Sequence, residues 1–138
     1  MERKMERADI AIIGTGPGGV SAALTAKVRN KNILLIGKKQ MSDKVSKAHQ
    51  IMNYPGLPAV TGADMAKAFE KQLAMMEINI TDSRIGTVYA MGDYFAIQAG
   101  GEVLEAKSVI LACGVVSGKT LPGLSLIHIS EPTRRRGI

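Results

Sequence analysis

The chain has 138 residues, of which 46% are hydrophobic and 22% are charged, and its formal net charge is +6. This length suits one domain with one hydrophobic core, and the composition is typical of a soluble globular protein. No apolar run reaches the length of a membrane span, and the charged N-terminus lacks the apolar stretch of a signal peptide. A single cysteine excludes an internal disulfide, so we expect a protein of the reducing cytoplasm. Because there is no apolar span, we also expect no membrane partner.

The basic residues are scattered along the chain, and only Arg134, Arg135 and Arg136 form a run. Tryptophan is absent and other aromatic residues are few, so platforms on which bases could stack are scarce. A basic surface near an anionic ligand therefore explains the charge better than binding to nucleic acid does. A basic, non-enzymatic binding module stays an alternative, and it predicts salt-sensitive binding to nucleic acid.

The first three predicted elements are a strand, a helix and a second strand. The apolar run ADIAII (8–13) predicts a central parallel strand, and NILLI (32–36) predicts its neighbour. Between them an Ala-rich stretch predicts a helix from Pro17 to about Asn30, with proline at the first helical position. GTGPGG (14–19) joins strand to helix, and this βαβ context indicates a dinucleotide-binding turn whose amides face phosphates.

Three glycines of this turn have separate predicted roles. Gly14 allows a tight turn, Gly16 lets the backbone approach a pyrophosphate, and Gly19 lets the helix pack closely on the strand. A carboxylate about 20 residues further on usually holds the ribose, but this chain has Gly37 there. Lys38 and Lys39 follow Gly37, and lysines at this place suit the adenosine phosphate of NADP. An NAD(P)-binding oxidoreductase fragment without flavin is therefore a second alternative.

The rest of the chain mixes helix and strand signals. Residues 38–46 are polar and predict a loop, and Thr61, with Asp64 three residues later, predicts the capped start of a helix over 62–77. INIT (78–81) predicts a third strand. Segments 85–91, 93–99 and 102–106, separated by glycine-containing turns, predict a small antiparallel meander, and SVILACG (108–114) predicts a last, apolar strand.

Several of these segments together resemble a known family. GTGPGG, NYPG (53–56), the helix after it, and SVILACG followed by SGKTLPG resemble the thioredoxin reductase family and, more broadly, the FAD-dependent pyridine nucleotide-disulfide oxidoreductases. The resemblance covers residues 8–123. It implies an α/β fold, a Rossmann-like FAD-binding domain with a parallel sheet, flanking helices and a small antiparallel β-meander. It also implies that this domain is incomplete, with residues 1–123 as the first segment of a split FAD-binding domain.

The resemblance implies FAD as cofactor, with NADPH or NADH expected only in the intact enzyme. There, reduced nicotinamide passes a hydride to FAD, and the flavin reduces a Cys-x-x-Cys disulfide that in turn reduces a thioredoxin-like partner. A homodimer is implied for the intact enzyme. This chain has no Cys-x-x-Cys motif, so we assign no catalytic residue and expect the chain alone to be inactive.

The resemblance also implies the residues that contact FAD. The pyrophosphate would lie over the glycine turn, and the adenosine ribose would meet the end of the second strand. His49 and Asn53 match positions on the flavin side, and Ile85 matches a backbone contact to adenine. Cys113 replaces the usual Thr beside the cofactor, and we predict a small packed residue rather than a nucleophile. The predicted cofactor-binding residues are Gly14, Thr15, Gly16, Pro17, Gly18, Gly19, Gly37, Lys38, Lys39, His49, Asn53, Ile85, Ala112, Cys113 and Gly114.

The family pattern stops at Gly123. Within the tail LSLIHISEPTRRRGI, the segment SLIHISEPTRR resembles a translated sequencing-adapter segment, so we interpret residues 124–138 as a non-native tail. A genuine short basic tail is the alternative. His128 lies in this tail and His49 has no Cys or His neighbour at metal-ligand spacing, so we predict no metal site.

Overall fold

The computed structural model describes residues 6–40 and 42–114, and a six-stranded mixed sheet is its centre. The sheet has the order β3-β2-β1-β6-β5-β4, in which β1, β2, β3 and β6 run parallel and β4 and β5 complete an antiparallel half. The elements in chain order are β1 (Ala8–Ile13), α1 (Pro17–Val28), β2 (Ile33–Gly37), α2 (Asp43–Ser46), α3 (Gly62–Met75), β3 (Ile80–Asp82), β4 (Ile85–Ala90), β5 (Phe95–Ala99) and β6 (Glu102–Leu111).

The predicted βαβ unit forms β1, α1 and β2. Helix α1 begins at Pro17 after an extended Gly16, as the sequence predicts. It ends two residues before the predicted Asn30 because Asn30 adopts a left-handed conformation, with φ of 55°. The amide of Lys31 then donates to the carbonyl of Ala26 at 3.0 Å, which closes the helix with a Schellman-type turn.

Helix α3 begins at its predicted cap. The hydroxyl oxygen of Thr61 accepts a hydrogen bond from the amide of Asp64 at 3.1 Å. The apolar residues that recur along α3 are buried, with Met65, Phe69 and Leu73 each less than 5% exposed. These side chains belong to the core between the helices and one face of the sheet, and the ring of Tyr54 contacts Phe69 edge-on.

The predicted loop over residues 38–46 is wrong in its second half, where the chain forms the short helix α2. Val45 is the reason, because this apolar residue in a mostly polar stretch is buried in the core shared by α1 and α3. Helix α2 packs closely on the first turn of α3: a side chain on Gly62 would meet the Val45 carbonyl oxygen. Tertiary packing therefore stabilises a helix that the polar local sequence does not predict.

The prediction of separate strands over 102–106 and 108–114 is also wrong, since β6 is one continuous strand of 10 residues. Ala106 pairs with Ala8 of β1 on one side and with Phe95 of β5 on the other. No turn residue interrupts the strand at this point. The meander and the parallel strands consequently form a single sheet.

The sheet buries both of its faces to different extents. The helices cover one face, where Ile12 and Leu35 join the α1 and α3 side chains. On the other face, Ile36 of β2 and Ile97 of β5 belong to one buried cluster although β1 and β6 separate their strands. Ala11 of β1 and Ala106 of β6 link these two residues, so the cluster runs across four neighbouring strands of this face.

Asp9 of β1 joins the start of β2 to the middle of β6. Its carboxylate accepts hydrogen bonds from the amide of Asn32 at 2.9 Å and from the ammonium of Lys107 at 3.1 Å. Its carbonyl oxygen accepts a hydrogen bond from the hydroxyl of Ser108 at 2.8 Å. The hydrogen bond from the backbone amide of Asn32, and after it the hydrogen bond from Lys107, hold the pKa of Asp9 below its usual value.

Among the described helices, none is long and apolar enough to cross a membrane.

Candidate functional site

The carboxyl ends of β1, β2 and β6 meet at one edge of the sheet. Beyond β1, the amide of Gly14 donates to the carbonyl of Ile36 at 2.9 Å, and the amide of Ala112 donates to the carbonyl of Ile13 at 2.7 Å. The chain leaves β1 for β2 on one side, while β6 lies on the other side of β1. Such a point, where the strand order reverses, is where open α/β sheets bind their ligands.

A cleft of about 790 Å³ opens at this point, within the usual size range of cofactor sites. Its walls come from the glycine turn, the end of β2, helix α2 and the segment after β6. It is lined by Gly14, Thr15, Gly16, Pro17, Gly18, Gly37, Lys38, Ser42, Asp43, Lys44, Val45, Ala112, Cys113 and Gly114.

Two glycines of the turn are required by close backbone contacts. Gly14 has φ of 118°, and a side chain there would meet the carbonyl oxygen of Ala112. At Gly19 a side chain would meet the carbonyl oxygen of Gly14. These contacts hold the start of α1 against the segments that follow β1 and β6, so that the N-terminus of the helix lines the cleft.

Gly16 differs from these two because no protein atom crowds it. A β-carbon at this position would lie 4.0 Å from its nearest neighbour, the β-carbon of Ser42, and its backbone is extended with φ of −79°. The fold therefore leaves space beside Gly16. That space is on the cleft side, which suits the close approach of a ligand phosphate to the backbone.

Gly37 is the residue that departs from the usual carboxylate. A β-carbon there would lie 2.7 Å from the methyl carbon of Thr15, so a side chain does not fit without movement of Thr15. Thr15 is 5% exposed, and its hydroxyl donates to the carbonyl of Lys38 at 2.9 Å. Thr15 thus fills the place next to Gly37 and fixes the turn that follows β2.

The electrostatic character of the cleft comes from α2 and the residue after β2. The ammonium of Lys38 lies 3.2 Å from a carboxylate oxygen of Asp43. Lys44 is a second cation in the lining, and Asp43 is the one acidic residue among the described lining residues. The described lining therefore has an excess of positive charge, which suits an anionic pyrophosphate.

The structure brings most of the predicted site residues together. Of the others, Gly19 packs beneath the turn, and Lys39 lines a different groove, beside Glu70 of α3 and Ile80 of β3. His49 and Asn53 are exposed in the segment between α2 and α3, and Ile85 packs against the Ile36 and Ile97 cluster. Cofactor contacts of these residues stay predictions.

Sequence reasoning missed the wall made by Ser42, Asp43, Lys44 and Val45. The available signal was a single valine in a polar stretch, which is too little to predict a helix. The prediction that Cys113 is packed is wrong: the residue is exposed on the cleft wall, because β6 ends at Leu111. Its thiol lies 3.9 Å from the carbonyl oxygen of Ile13.

The residues present fit the diphosphate part of a dinucleotide. A glycine turn, an uncrowded Gly16, a helix N-terminus and two lysines converge on one cleft. Across residues 6–40 and 42–114 there is no group of three His, Cys, Asp or Glu side chains that could hold a metal ion. The fold and the cleft define a Rossmann-like dinucleotide-binding domain.

Comparison with known proteins identifies the family. Residues 8–135 match the model of the pyridine nucleotide-disulphide oxidoreductases. A thioredoxin reductase of Helicobacter pylori is 37% identical over 109 residues, which cover 77% of this chain and 35% of that protein. A 34.2 kDa protein in the rubredoxin operon of Clostridium pasteurianum is 28% identical over 116 residues, covering 83% of this chain and 38% of that protein.

Solved structures agree with this result. The crystal structure of a ferredoxin-flavin thioredoxin reductase from Clostridium acetobutylicum has a TM-score of 0.80 and 43% identity, covering 88% of this chain and 42% of that one. The thioredoxin reductase of Streptococcus pyogenes has a TM-score of 0.74 and 28% identity, covering 84% and 38%. The chain belongs to the pyridine nucleotide-disulphide oxidoreductase family and, within it, to the thioredoxin reductase-like flavoproteins, as its motifs predict. It spans less than two-fifths of the length of the two curated relatives described here.

Proposed function

We propose that this chain binds FAD in the cleft and forms the FAD-binding part of a thioredoxin reductase-like oxidoreductase. One observation carries the proposal. The glycine turn is closed by backbone contacts at Gly14 and Gly19, yet it leaves Gly16 open toward the cleft at the point where the strand order reverses. Similarity to flavoproteins of the same fold supports FAD as the dinucleotide.

The cofactor supplies the redox chemistry, and the chain holds and orients it. Gly14 to Gly19, with the N-terminus of α1, would hold the pyrophosphate. Lys38 and the end of β2 would face the adenosine ribose, and Ala112 to Gly114 would border the cofactor on the β6 side. Because no described residue provides a redox disulfide, we assign no catalytic residue to this chain.

The reaction of the whole enzyme is proposed from its relatives. Electrons would pass from a reduced nicotinamide, NADPH or NADH, through FAD to a disulfide and then to a thioredoxin-like protein. The name of the Clostridium acetobutylicum neighbour adds reduced ferredoxin as a second candidate donor. Residues 1–123 would form the first segment of a split FAD-binding domain. The segment 124–138, proposed as a non-native tail, lies outside the described residues although the family match reaches residue 135.

A substitution at Gly16 tests the proposal. We expect Gly16→Val to weaken FAD binding by more than about 10-fold, because the side chain fills the space that the pyrophosphate needs. Since no protein atom comes closer than 4.0 Å to a β-carbon at Gly16, the melting temperature without FAD should stay close to that of the unmodified chain. Bound FAD is measured by titration with flavin fluorescence as the signal.

Gly101→Val is the matched control. Gly101 lies in the turn between β5 and β6, and a β-carbon there meets no atom within 4 Å. This variant should bind FAD as the unmodified chain does. Equal FAD affinity in the Gly16→Val and Gly101→Val variants would contradict the proposed site.

A further inference from the structure

Resting on the proposed FAD site, we propose that Asp43 of α2 supplies the carboxylate that holds the adenosine ribose, in place of the acidic residue that β2 lacks. The juxtaposition that carries this inference is Asp43 paired with Lys38, next to Gly37, in the wall of the cleft. A ribose carboxylate at the end of the second strand is the common arrangement in dinucleotide-binding folds. Here the carboxylate comes from another element.

The usual position is closed in this chain. A β-carbon on Gly37 would lie 2.7 Å from the Thr15 methyl carbon and 3.1 Å from the Thr15 hydroxyl oxygen. Thr15 is buried and its hydroxyl donates to the carbonyl of Lys38, so it does not simply rotate away. A ribose that reaches the end of β2 therefore finds backbone at residue 37 and no side-chain acceptor.

Asp43 is placed to replace the missing acceptor. It is the acidic residue in the described lining of the cleft, and its side chain is 60% exposed. Its carboxylate oxygen lies 3.2 Å from the ammonium of Lys38, the residue directly after Gly37. The side chain of Lys38 therefore links the Asp43 carboxylate to the end of β2.

The pair with Lys38 makes a carboxylate acceptable in a site for an anionic ligand. An ionised carboxylate has about four acceptor positions, so the bond to Lys38 leaves capacity for the two ribose hydroxyls. The positive charge of Lys38 offsets the repulsion between the Asp43 carboxylate and a nearby pyrophosphate. Hydrogen bonds from hydroxyls to an ionised carboxylate are stronger than those between neutral groups. A ligand without the ribose hydroxyls should therefore bind with measurably lower affinity.

The test compares two ligands that differ only in the ribose hydroxyls. ADP and 2′,3′-dideoxy-ADP are titrated calorimetrically into the full chain and into Asp43→Ala. In the unmodified chain ADP should bind on the order of 10-fold more tightly than the dideoxy compound. In Asp43→Ala the ratio of the two affinities should fall to about 2 or less, since the acceptor is gone. Asp43→Asn, which keeps the shape but not the charge, should also lower the ratio.

Asp64→Ala is the matched control, because Asp64 is an exposed aspartate in the first turn of α3 and does not line the cleft. Its affinity ratio should equal that of the unmodified chain. The same ratio in the unmodified chain, Asp43→Ala and Asp43→Asn would overturn the role of Asp43 while ADP binding itself upholds the dinucleotide site. No binding of ADP or FAD to the unmodified chain would overturn the proposed function and this inference together.

Discussion

Neighbouring glycines in α1 have opposite structural constraints. A β-carbon at Gly19 would meet the carbonyl oxygen of Gly14, whereas a β-carbon at Gly18 lies 4.0 Å from the β-carbon of Ala112, an ordinary contact. Gly19→Ala should therefore lower the free energy of unfolding by about 1 to 3 kcal/mol through overpacking. Gly18→Ala should raise it by about 0.5 to 1 kcal/mol, because alanine favours the helix more than glycine does. Urea unfolding of both variants measures these changes, and a shift of the same sign in both would contradict the packing described here.

Thr15 and Gly37 are sterically coupled. Gly37→Ala alone should destabilise the chain because its β-carbon would lie 2.7 Å from the Thr15 methyl carbon. Combining it with Thr15→Ala removes that methyl group, so the double variant should lose less stability than the sum of the two single losses. We expect a coupling energy of about 0.5 kcal/mol or more in the unfolding cycle. Strict additivity would show that the two residues do not compete for the same space.

At the scale of elements, Asp9 makes the contact between β1 and its two neighbours depend on pH. Its pKa is lower in the folded state than its ordinary value of 3.8, chiefly because it accepts a hydrogen bond from the amide of Asn32. A lowered pKa contributes stability above pH 3.8, and that contribution is lost as the pH falls through the folded-state pKa. The expected result is that Asp9→Asn is less stable than the unmodified chain at neutral pH.

The difference should shrink below pH 3.8, where the unmodified carboxyl group also becomes protonated. Urea midpoints of both proteins between neutral pH and acid measure it. A constant difference across this range would show that the carboxylate charge has no part in the contact. Because Asp9 is on the surface, added salt should also reduce the difference.

Elements with local signals were predictable from the sequence, and elements that depend on tertiary contacts were not. Pro17 marks the start of α1 and Thr61 the start of α3, and both signals act within one helical turn. Helix α2 depends on burial of Val45 between distant elements, and the continuity of β6 depends on Ala106 pairing with two strands at once. Neither contact is visible in a short sequence window.

The candidate site divides in the same way. Its glycine turn was predictable because Gly14, Gly16 and Gly19 recur at a fixed spacing after a strand. The wall made by α2, including Asp43, was not predictable because it depends on how α2 packs. The exposure of Cys113 was missed because the apolar run after Ser108 suggested a strand up to Gly114, whereas β6 ends at Leu111.

At the scale of the whole molecule, the helices cover one face of the sheet, and a small apolar cluster from β1, β2, β5 and β6 is buried on the other. Apolar residues still lie on the surface at the end of β6, where Leu111 is 70% and Ile110 39% exposed. Leu111 directly precedes the Ala112 to Gly114 wall of the cleft. Because successive side chains of a strand point to opposite faces, Ile110 and Leu111 leave apolar surface on both sides of the end of β6.

A comparative titration of the chain with FAD and NADPH tests whether the cleft is a site for FAD. Flavin fluorescence follows FAD binding, and calorimetry follows NADPH binding under the same conditions. We expect saturable binding of FAD with an affinity at least about 10-fold above that for NADPH. Tighter binding of NADPH than of FAD, or no saturable binding of FAD, would contradict it and favour an NAD(P)-binding domain or a protein without a dinucleotide ligand.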